Sequence, residues 1–296
     1  MTSVARALAL FVFLGVFVLA GGLYSPPVSD GSGDESDISL ATLPPLPKWA
    51  KAPLPDFSQY RDVNERKAAF FGYLYPRIAL ANSRILVERQ YLQTLAEKDS
   101  LTEAEQTWLD RQSERLRVNA EGEARFAALE KKLDVIPPSL VLAQAANESA
   151  WGQSRFATRG NNLFGQWCFT EGCGLVPKSR PEGANHEVAT FSSPYFSVRS
   201  YIQNLNRHNA YQKVRALRTE DRRNNRRISG LRLAGGLISY SERGEEYIAE
   251  IRSMIRFNEL QAYDKAFSAL LDDRSPARLT MLAAAENGAK LMPEQL

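Results

Sequence analysis

A single acidic side chain stands in an otherwise apolar helical stretch. Residues 140–150 (LVLAQAANESA) follow two prolines and predict a short helix, with Ser139 as its N-cap and Glu148 as its one acid. At helical spacing, Val141, Ala145 and Glu148 share one stripe, so the carboxylate lies on the same face as buried side chains.

This environment favours the neutral form of the Glu148 carboxyl. Desolvation against apolar surface and against Trp151, three residues further on, raises a carboxyl pKa. A carboxyl that is protonated near neutral pH can protonate a glycosidic oxygen as a general acid. The alternative is a glutamate that reaches solvent at the end of the helix or pairs with Arg155.

Three separated motifs carry a family resemblance. Residues 143–157 (AQAANESAWGQSRFA) and then 160–177 (GNNLFGQWCFTEGCGLVP) are similar to the glucosaminidase domain of glycoside hydrolase family 73. With residues 239–258 (SYSERGEEYIAEIRSMIRFN), they most closely resemble the Bax-like branch of that family. The resemblance covers roughly residues 135–262.

The resemblance implies a mainly α (α+β) fold: a lysozyme-like catalytic domain with a small β-hairpin lobe, preceded by a helical N-terminal region. For the lobe, the sequence predicts a hairpin from Leu175 and Val176 through a turn at residues 180–185 to a returning strand at residues 186–191. This lobe follows the acid-bearing helix, as in the lysozyme-like plan.

The resemblance also assigns roles around the acid. Tyr240 matches a tyrosine that lines the cleft opposite the acid, and Trp151, Asn162 and Phe164 would shape the cleft floor. Tyr247 matches an aromatic residue of the next helix, where packing is favoured over substrate binding. An equally open alternative is that the Asn-Leu-Phe-Gly loop is only a tight turn joining the two lobes.

The second carboxylate of a glycosidase is harder to place. Glycosidases generally use two, and the family carries its second one on or near the first strand of the small lobe. Here that position falls close to Arg180, so Glu182 is the best match, with Glu187 second and Glu171 third. Each could equally be a solvent-facing residue, and a substrate-assisted route would make a second acid less necessary.

Two cysteines, Cys168 and Cys173, lie five residues apart. In an exported protein this pair predicts a disulfide worth roughly 2 kcal/mol, and two free thiols are the alternative. His186 and His208 are not arranged to complete a metal site. We therefore expect neither a metal nor a cofactor.

The N-terminus predicts export. Arg6 precedes an apolar run at residues 7–20, which indicates a cleaved signal peptide or, if it is not cleaved, a single membrane anchor. We expect a periplasmic or cell-envelope protein. The predicted organisation is a signal peptide or anchor at 1–23, a Pro/Ser-rich linker at 24–60, a helical region packing on the catalytic domain at 61–133, the glucosaminidase domain at 134–262 and a C-terminal helical tail at 263–296.

The formal net charge of +3 says little about partners. A basic segment at residues 213–227 lacks the aromatic or glycine-rich signature of nucleic-acid binding, so no nucleic acid is expected. The predicted function is a peptidoglycan hydrolase, an endo-beta-N-acetylglucosaminidase acting on peptidoglycan or another N-acetylglucosamine polymer. The alternatives are a lytic transglycosylase or muramidase, or a non-catalytic glycan-binding scaffold of the envelope.

Overall fold

Eleven α-helices and three short strands make up residues 43–293, the part of the chain that this computed structural model describes. The predicted signal peptide or anchor at 1–23 and the linker as far as residue 42 lie outside it. Within the described part, no helix is both long and apolar enough to cross a membrane. The helices are α1 (Val63–Ala96), α2 (Glu103–Leu116), α3 (Gly122–Lys132), α4 (Pro138–Glu148), α5 (Arg155–Gly160), α6 (Pro194–Arg207), α7 (Gln212–Arg223), α8 (Gly230–Leu233), α9 (Glu245–Phe257), α10 (Gln261–Leu270) and α11 (Pro276–Ala283).

Polar caps fix the starts of the two N-terminal helices. The Asp62 carboxylate accepts hydrogen bonds from the amides of Asn64 (2.8 Å) and Glu65 (2.9 Å), where α1 begins. At α2, Thr102 and Glu105 form the reciprocal capping box that their spacing predicts. The first of these helices is 34 residues long and contributes to two cores.

The main core surrounds α4. Every residue of α4 up to Ala146 is buried, and the helix packs against α1, α8, α9 and α10. A second core lies between the C-terminal half of α1 and the helices α2 and α3, centred on Leu92, Trp108 and Leu129. The acid-bearing helix is therefore enclosed over most of its length, and only its C-terminal end approaches the surface.

A buried carboxylate holds the N-terminal end of α4. Asp264 of α10 accepts hydrogen bonds from the Ser139 amide (2.8 Å), the Ser139 hydroxyl (2.6 Å) and the Gly230 amide (3.0 Å). The prediction that Ser139 caps α4 is therefore wrong, because the helix starts at Pro138, two residues earlier than predicted, and the Ser139 hydroxyl donates to Asp264. A Cβ on Gly230 would lie 2.1 Å from the Ser139 hydroxyl, so this approach needs glycine.

The segment that leads into α4 is fixed by a buried ion cluster. Asp134 pairs with Arg222 at 2.6 Å and with Arg218 at 3.6 Å. Burial opposes ionisation of Asp134, but the two arginine charges outweigh it and lower its pKa to about 2. Arg218 also donates to the carbonyls of Asp134 and Val135. Charged groups thus anchor both the start of α4 and the segment before it, which fixes the axis along which Glu148 is presented.

The small lobe is a three-stranded antiparallel sheet in the order β1-β3-β2. Its strands are β1 (Trp167–Cys168), β2 (Gly174–Leu175) and β3 (Glu187–Ala189). The predicted hairpin is present, with Leu175 opposite Val188, but β1 adds a third strand and all of β3 is buried between its neighbours. The expectation of a mainly helical, lysozyme-like fold with a small β lobe is confirmed.

Candidate active site

Glu148 is the last residue of α4 and is half-buried. The chain then turns sharply through Ala150, Trp151 and Gly152, whose φ angles of 50°, 60° and 77° lie in the left-handed region. Two hydrogen bonds hold this turn, from the Trp151 amide to the Ala146 carbonyl (3.0 Å) and from the Gly152 amide to the Ser149 hydroxyl (2.7 Å). The backbone strain is thus stored directly after the acid, where it ends the helix at the carboxylate.

A chain of hydrogen bonds reaches Glu148 from the core. The Tyr201 hydroxyl donates to the Gln144 side-chain carbonyl, and the Gln144 amide donates to the Tyr247 hydroxyl at 2.8 Å. Tyr247 in turn donates to Glu148 Oε1 at 2.7 Å. Every donor in this chain points towards the carboxylate, which fixes its orientation.

The electrostatics of Glu148 combine opposing effects. Burial raises the pKa of Glu148, while the hydrogen bonds from Tyr247 and Asn147 lower it and the negative charge of Glu250 raises it. The net direction is upward, so the site holds a carboxyl with an increased affinity for a proton. Burial also raises the pKa of Tyr247, so its hydroxyl remains a donor to Glu148.

Tyr240 covers this hydrogen-bonded cluster. Its ring stacks on Tyr247 with centroids 5.3 Å apart and planes inclined by 9°, and it also faces Tyr211 at 6.0 Å. Its hydroxyl donates to the Phe164 carbonyl at 3.4 Å. The structure therefore brings Tyr240, predicted to flank the acid, next to the tyrosine that binds Glu148, and leaves it half-buried.

Tyr247 is enclosed inside the protein, as the favoured packing role implies. It is only 2% exposed, and its hydroxyl is engaged by both Gln144 and Glu148. A side chain so enclosed does not present a surface to a sugar. Of the two roles weighed for Tyr247, packing fits this position and sugar binding does not, and its hydroxyl orients the acid.

Trp151 lies against α1. Its ring makes edge contacts with Phe70 (5.9 Å) and Phe71 (5.4 Å), and the Lys67 ammonium lies 5.0 Å from its centroid. The left-handed turn directs the indole against the α1 aromatic cluster, and because the ring is only half-buried, its place on the cleft floor stays a prediction. Its contribution is to secure the turn behind Glu148.

Asn162 and Phe164 are buried in the loop that joins the lobes. Asn162 is 1% exposed, and its amide donates to the carbonyls of Gln166 and Ala189, both at 2.8 Å. Phe164 stacks on Tyr201 with centroids 4.0 Å apart. The prediction that they shape the cleft floor is corrected, because their polar and aromatic surfaces are already used inside the protein. Asn162 and Phe164 instead fit the alternative, a tight turn that joins the two lobes.

Within residues 43–293, none of the predicted second carboxylates forms a hydrogen bond with Glu148, and their catalytic role stays a prediction. Glu182 lies exposed in the turn before β3, and Glu171 is exposed in the disulfide loop. Glu187 is buried, but its oxygens accept from the amides of Gly172 (3.1 Å) and Gly174 (2.7 Å), so it closes that loop. For Glu182 and Glu171, within residues 43–293 no hydrogen bond or ion pair connects either to the cluster around Glu148.

The two cysteines form the predicted disulfide, Cys168–Cys173. Their sulfurs and a Glu187 carboxylate oxygen lie within 4.8 Å of one another, which is the spacing of metal ligands. Because both sulfurs are bonded to each other, they cannot act as thiolate ligands. This cluster is a structural staple of the small lobe.

The structure adds residues that the sequence analysis missed. Gln144 lies one helical turn before Glu148, and Glu250 lies three residues after Tyr247 on α9, so both share a face with a residue already singled out. Arg243 forms an ion pair with Glu250, and its guanidinium lies 5.5 Å from the Tyr247 ring. The spacing could have drawn attention to both, whereas no local signal could have paired Tyr201 with Gln144.

Comparison with known proteins agrees with this geometry. Residues 123–260 match the family model described as mannosyl-glycoprotein endo-beta-N-acetylglucosaminidase, a glucosaminidase domain. The chain is 32% identical over 209 residues to Protein bax of Escherichia coli (strain K12), which covers 70% of this chain and 74% of that protein. No solved structure matches the chain. The chain belongs to the Bax-like proteins that carry this glucosaminidase domain.

Proposed function

We propose that this protein is an endo-beta-N-acetylglucosaminidase that cuts the glycan strand of peptidoglycan on the reducing side of N-acetylglucosamine. Glu148 is the general acid in this proposal. The observation that carries it is the half-buried carboxyl of Glu148, whose pKa burial raises, at the open end of a core helix within the glucosaminidase domain. A carboxyl with that property is suited to protonate a leaving sugar oxygen.

The hydrogen-bond chain explains how the acid is kept ready. Glu148 Oε1 accepts the hydrogen bond from the Tyr247 hydroxyl, so the proton available for transfer resides on the other oxygen, Oε2. As the glycosidic bond breaks, this proton moves to the leaving oxygen and Glu148 becomes a carboxylate. The Tyr247 hydroxyl at 2.7 Å then stabilises the new charge by a charge-assisted hydrogen bond. Gln144 and Tyr201 hold Tyr247 in the orientation that this step needs.

The proposal includes the setting of the enzyme. Peptidoglycan lies outside the cytoplasmic membrane, and the apolar run at residues 7–20 supplies an export signal or an anchor. We accordingly propose a location in the cell envelope, with the glucosaminidase domain at residues 134–262 and the helical region at 61–133 packed on it. Contacts of α1 with α4 and with Trp151 support this arrangement.

The test is product analysis of digested peptidoglycan. The purified protein is incubated with peptidoglycan beside Glu148→Gln and the control Glu246→Gln, which changes an exposed acid on α9. Released fragments are reduced with borohydride and identified by mass spectrometry. The proposal predicts reduced N-acetylglucosamine ends from wild type and from Glu246→Gln, and none from Glu148→Gln. Anhydromuramic or reduced muramic ends would instead identify a transglycosylase or muramidase, and binding without release would identify a scaffold.

A further inference from the structure

A concave site lies between α1, α2 and α6, on residues that the proposed glycan chemistry does not use. It holds about 500 Å³ of space, counting its open mouth. Three arginines and one glutamate line it, Arg84 and Glu88 from α1, Arg115 from α2 and Arg199 from α6. We call it the arginine pocket. Its charged lining residues carry a formal excess of two positive charges.

Glu88 accepts a hydrogen bond from one of these arginines, Arg115. Glu88 is 4% exposed and pairs with Arg115 at 2.8 Å, and Gln112 also accepts from Arg115. The Nε donor of Arg115 is nevertheless buried and finds no acceptor among residues 43–293. A buried cationic donor without an acceptor is costly, so it marks a place where an anion would be stabilised.

Arg199 adds a second positive charge to the same pocket. Within residues 43–293 its guanidinium has neither a hydrogen-bond acceptor nor an acidic partner, although it lines the pocket beside Arg115. Burial lowers the pKa of Arg115, Glu88 raises it, and the charge of Arg199 lowers it again. The two arginines therefore repel each other across a space that protein atoms leave open, and a bound oxyanion would relieve that repulsion.

The N-terminal segment enters the described structure at this pocket. Leu43 lines it, and Arg84 donates to the carbonyl of the next residue, Pro44, at 2.9 Å. The sequence just before it is acidic. Residues 30–37 (DGSGDESD) contain four carboxylates and no basic residue. Asp37, the last of them, lies six residues before Leu43, a distance of at most about 20 Å of chain, so a carboxylate from this stretch can reach the arginines.

We propose that the arginine pocket binds carboxylates of the chain's own acidic stretch, residues 30–37, and so fastens the N-terminal segment to the body of the protein. Charge complementarity and the entry of the chain beside Leu43 and Arg84 carry this assignment. It does not depend on the proposed glycan activity. Docking shortens the free spacer after the apolar run from about 75 Å of extended chain (residues 21–42) to about 30 Å (residues 21–29). The acidic stretch thereby sets how far the catalytic body can stand from the N-terminal segment.

Cleavage at the one glutamate of the acidic stretch makes the proposal testable in the full chain. Glu35 is the only glutamate before Glu65, so a glutamate-specific protease removes residues 1–35 by one cut within the acidic stretch. The protein is kept in a non-ionic detergent, and the cut is followed by intact mass. Each rate is divided by the rate on a free peptide of residues 28–42. Wild type is compared with Arg199→Gln and with the control Arg223→Gln, an exposed arginine of α7.

The proposal predicts that wild type is cut more slowly than the peptide. Arg199→Gln should be cut roughly fivefold faster than wild type at low salt, the upper end of what a partly exposed ion pair contributes. Raising NaCl should remove the protection of wild type and leave Arg199→Gln unchanged. Arg223→Gln should behave as wild type. Because Arg199 has no partner within residues 43–293, its replacement leaves the fold intact, which circular dichroism checks.

Two results would overturn the proposal. Equal normalised rates for wild type, Arg199→Gln and the free peptide would show that the acidic stretch does not dock. The second result concerns inorganic phosphate added at constant ionic strength. If phosphate raises the Tm of wild type but not of Arg199→Gln, while Arg199→Gln does not change the cut at Glu35, the pocket is a site for free anions.

Discussion

Replacing Asp264 by Asn should change how the stability of the protein depends on pH. Asp264 is 6% exposed and accepts three hydrogen bonds from Ser139 and Gly230 at the start of α4. Burial raises its pKa to about 6, although these hydrogen bonds and the charge of Arg227 oppose the rise. Tyr75 also faces this carboxylate from α1 and stays neutral, because burial raises its own pKa.

The sign follows from comparing the folded and unfolded states. An unfolded aspartate titrates at about 3.9, so the native state binds the proton more tightly than the unfolded state. The contribution of Asp264 is complete below about pH 4 and is lost as pH rises through about 6. A difference of two pKa units at about 1.4 kcal/mol each gives a loss of about 3 kcal/mol.

The assay is urea unfolding of wild type and Asp264→Asn at pH 4.0 and pH 7.0. Other titrating groups cancel in the difference between the two proteins. The asparagine places an amide group opposite the three donors that Asp264 binds. The variant should therefore be less stable than wild type at pH 4. Relative to wild type, it should then gain about 2 kcal/mol between pH 4 and pH 7, because a small part of the total is already lost at pH 4. The control Asp272→Asn, at an exposed position, should show no such gain. A stability difference for Asp264→Asn that is constant with pH, or that grows more unfavourable, would refute the reasoning.

Three further predictions concern the site and the small lobe. Tyr247→Phe removes a hydrogen bond that lowers the pKa of Glu148, so the alkaline limb of the pH profile of kcat/KM should move to higher pH. Glu250→Gln removes a negative charge that raises this pKa, so the same limb should move to lower pH; a shift of both variants in one direction would contradict the assignment. Replacing Cys168 and Cys173 together by Ser should lower the free energy of unfolding by about 2 kcal/mol, measured by urea unfolding, and a reductant should destabilise wild type but not this variant.

The sequence predicted the features that depend on local pattern. The apolar stripe of α4 predicted a buried helix with Glu148 on the same face as its buried side chains, because helical periodicity alone assigns faces. The capping box of Thr102 and Glu105 and the disulfide of Cys168 and Cys173 likewise follow from residues that are close in sequence.

The parts that failed depend on contacts between distant segments. Ser139 has the side chain of a helix cap, but its hydroxyl instead donates a hydrogen bond to Asp264, which lies 125 residues further along the chain. Tyr247 lies 99 residues from Glu148, and its spacing on α9 predicted only that it is buried. For Asn162 the sequence left two roles open, the cleft floor and a tight turn, and only the hydrogen bond from its amide to the Ala189 carbonyl of β3 favours the turn. Local pattern predicts which face of an element is buried but not which group it meets there.

The central claim is that Glu148 donates a proton to the leaving group, and comparing two leaving groups tests it most directly. Wild type and Glu148→Gln are assayed on the natural glycan and on an N-acetylglucosamine oligomer carrying 2,4-dinitrophenol, which departs without protonation. We expect Glu148→Gln to lose about 10²- to 10⁴-fold in kcat/KM on the glycan and to stay within about tenfold of wild type on the dinitrophenyl substrate. Equal losses on both substrates, or no loss on the glycan, would contradict the claim.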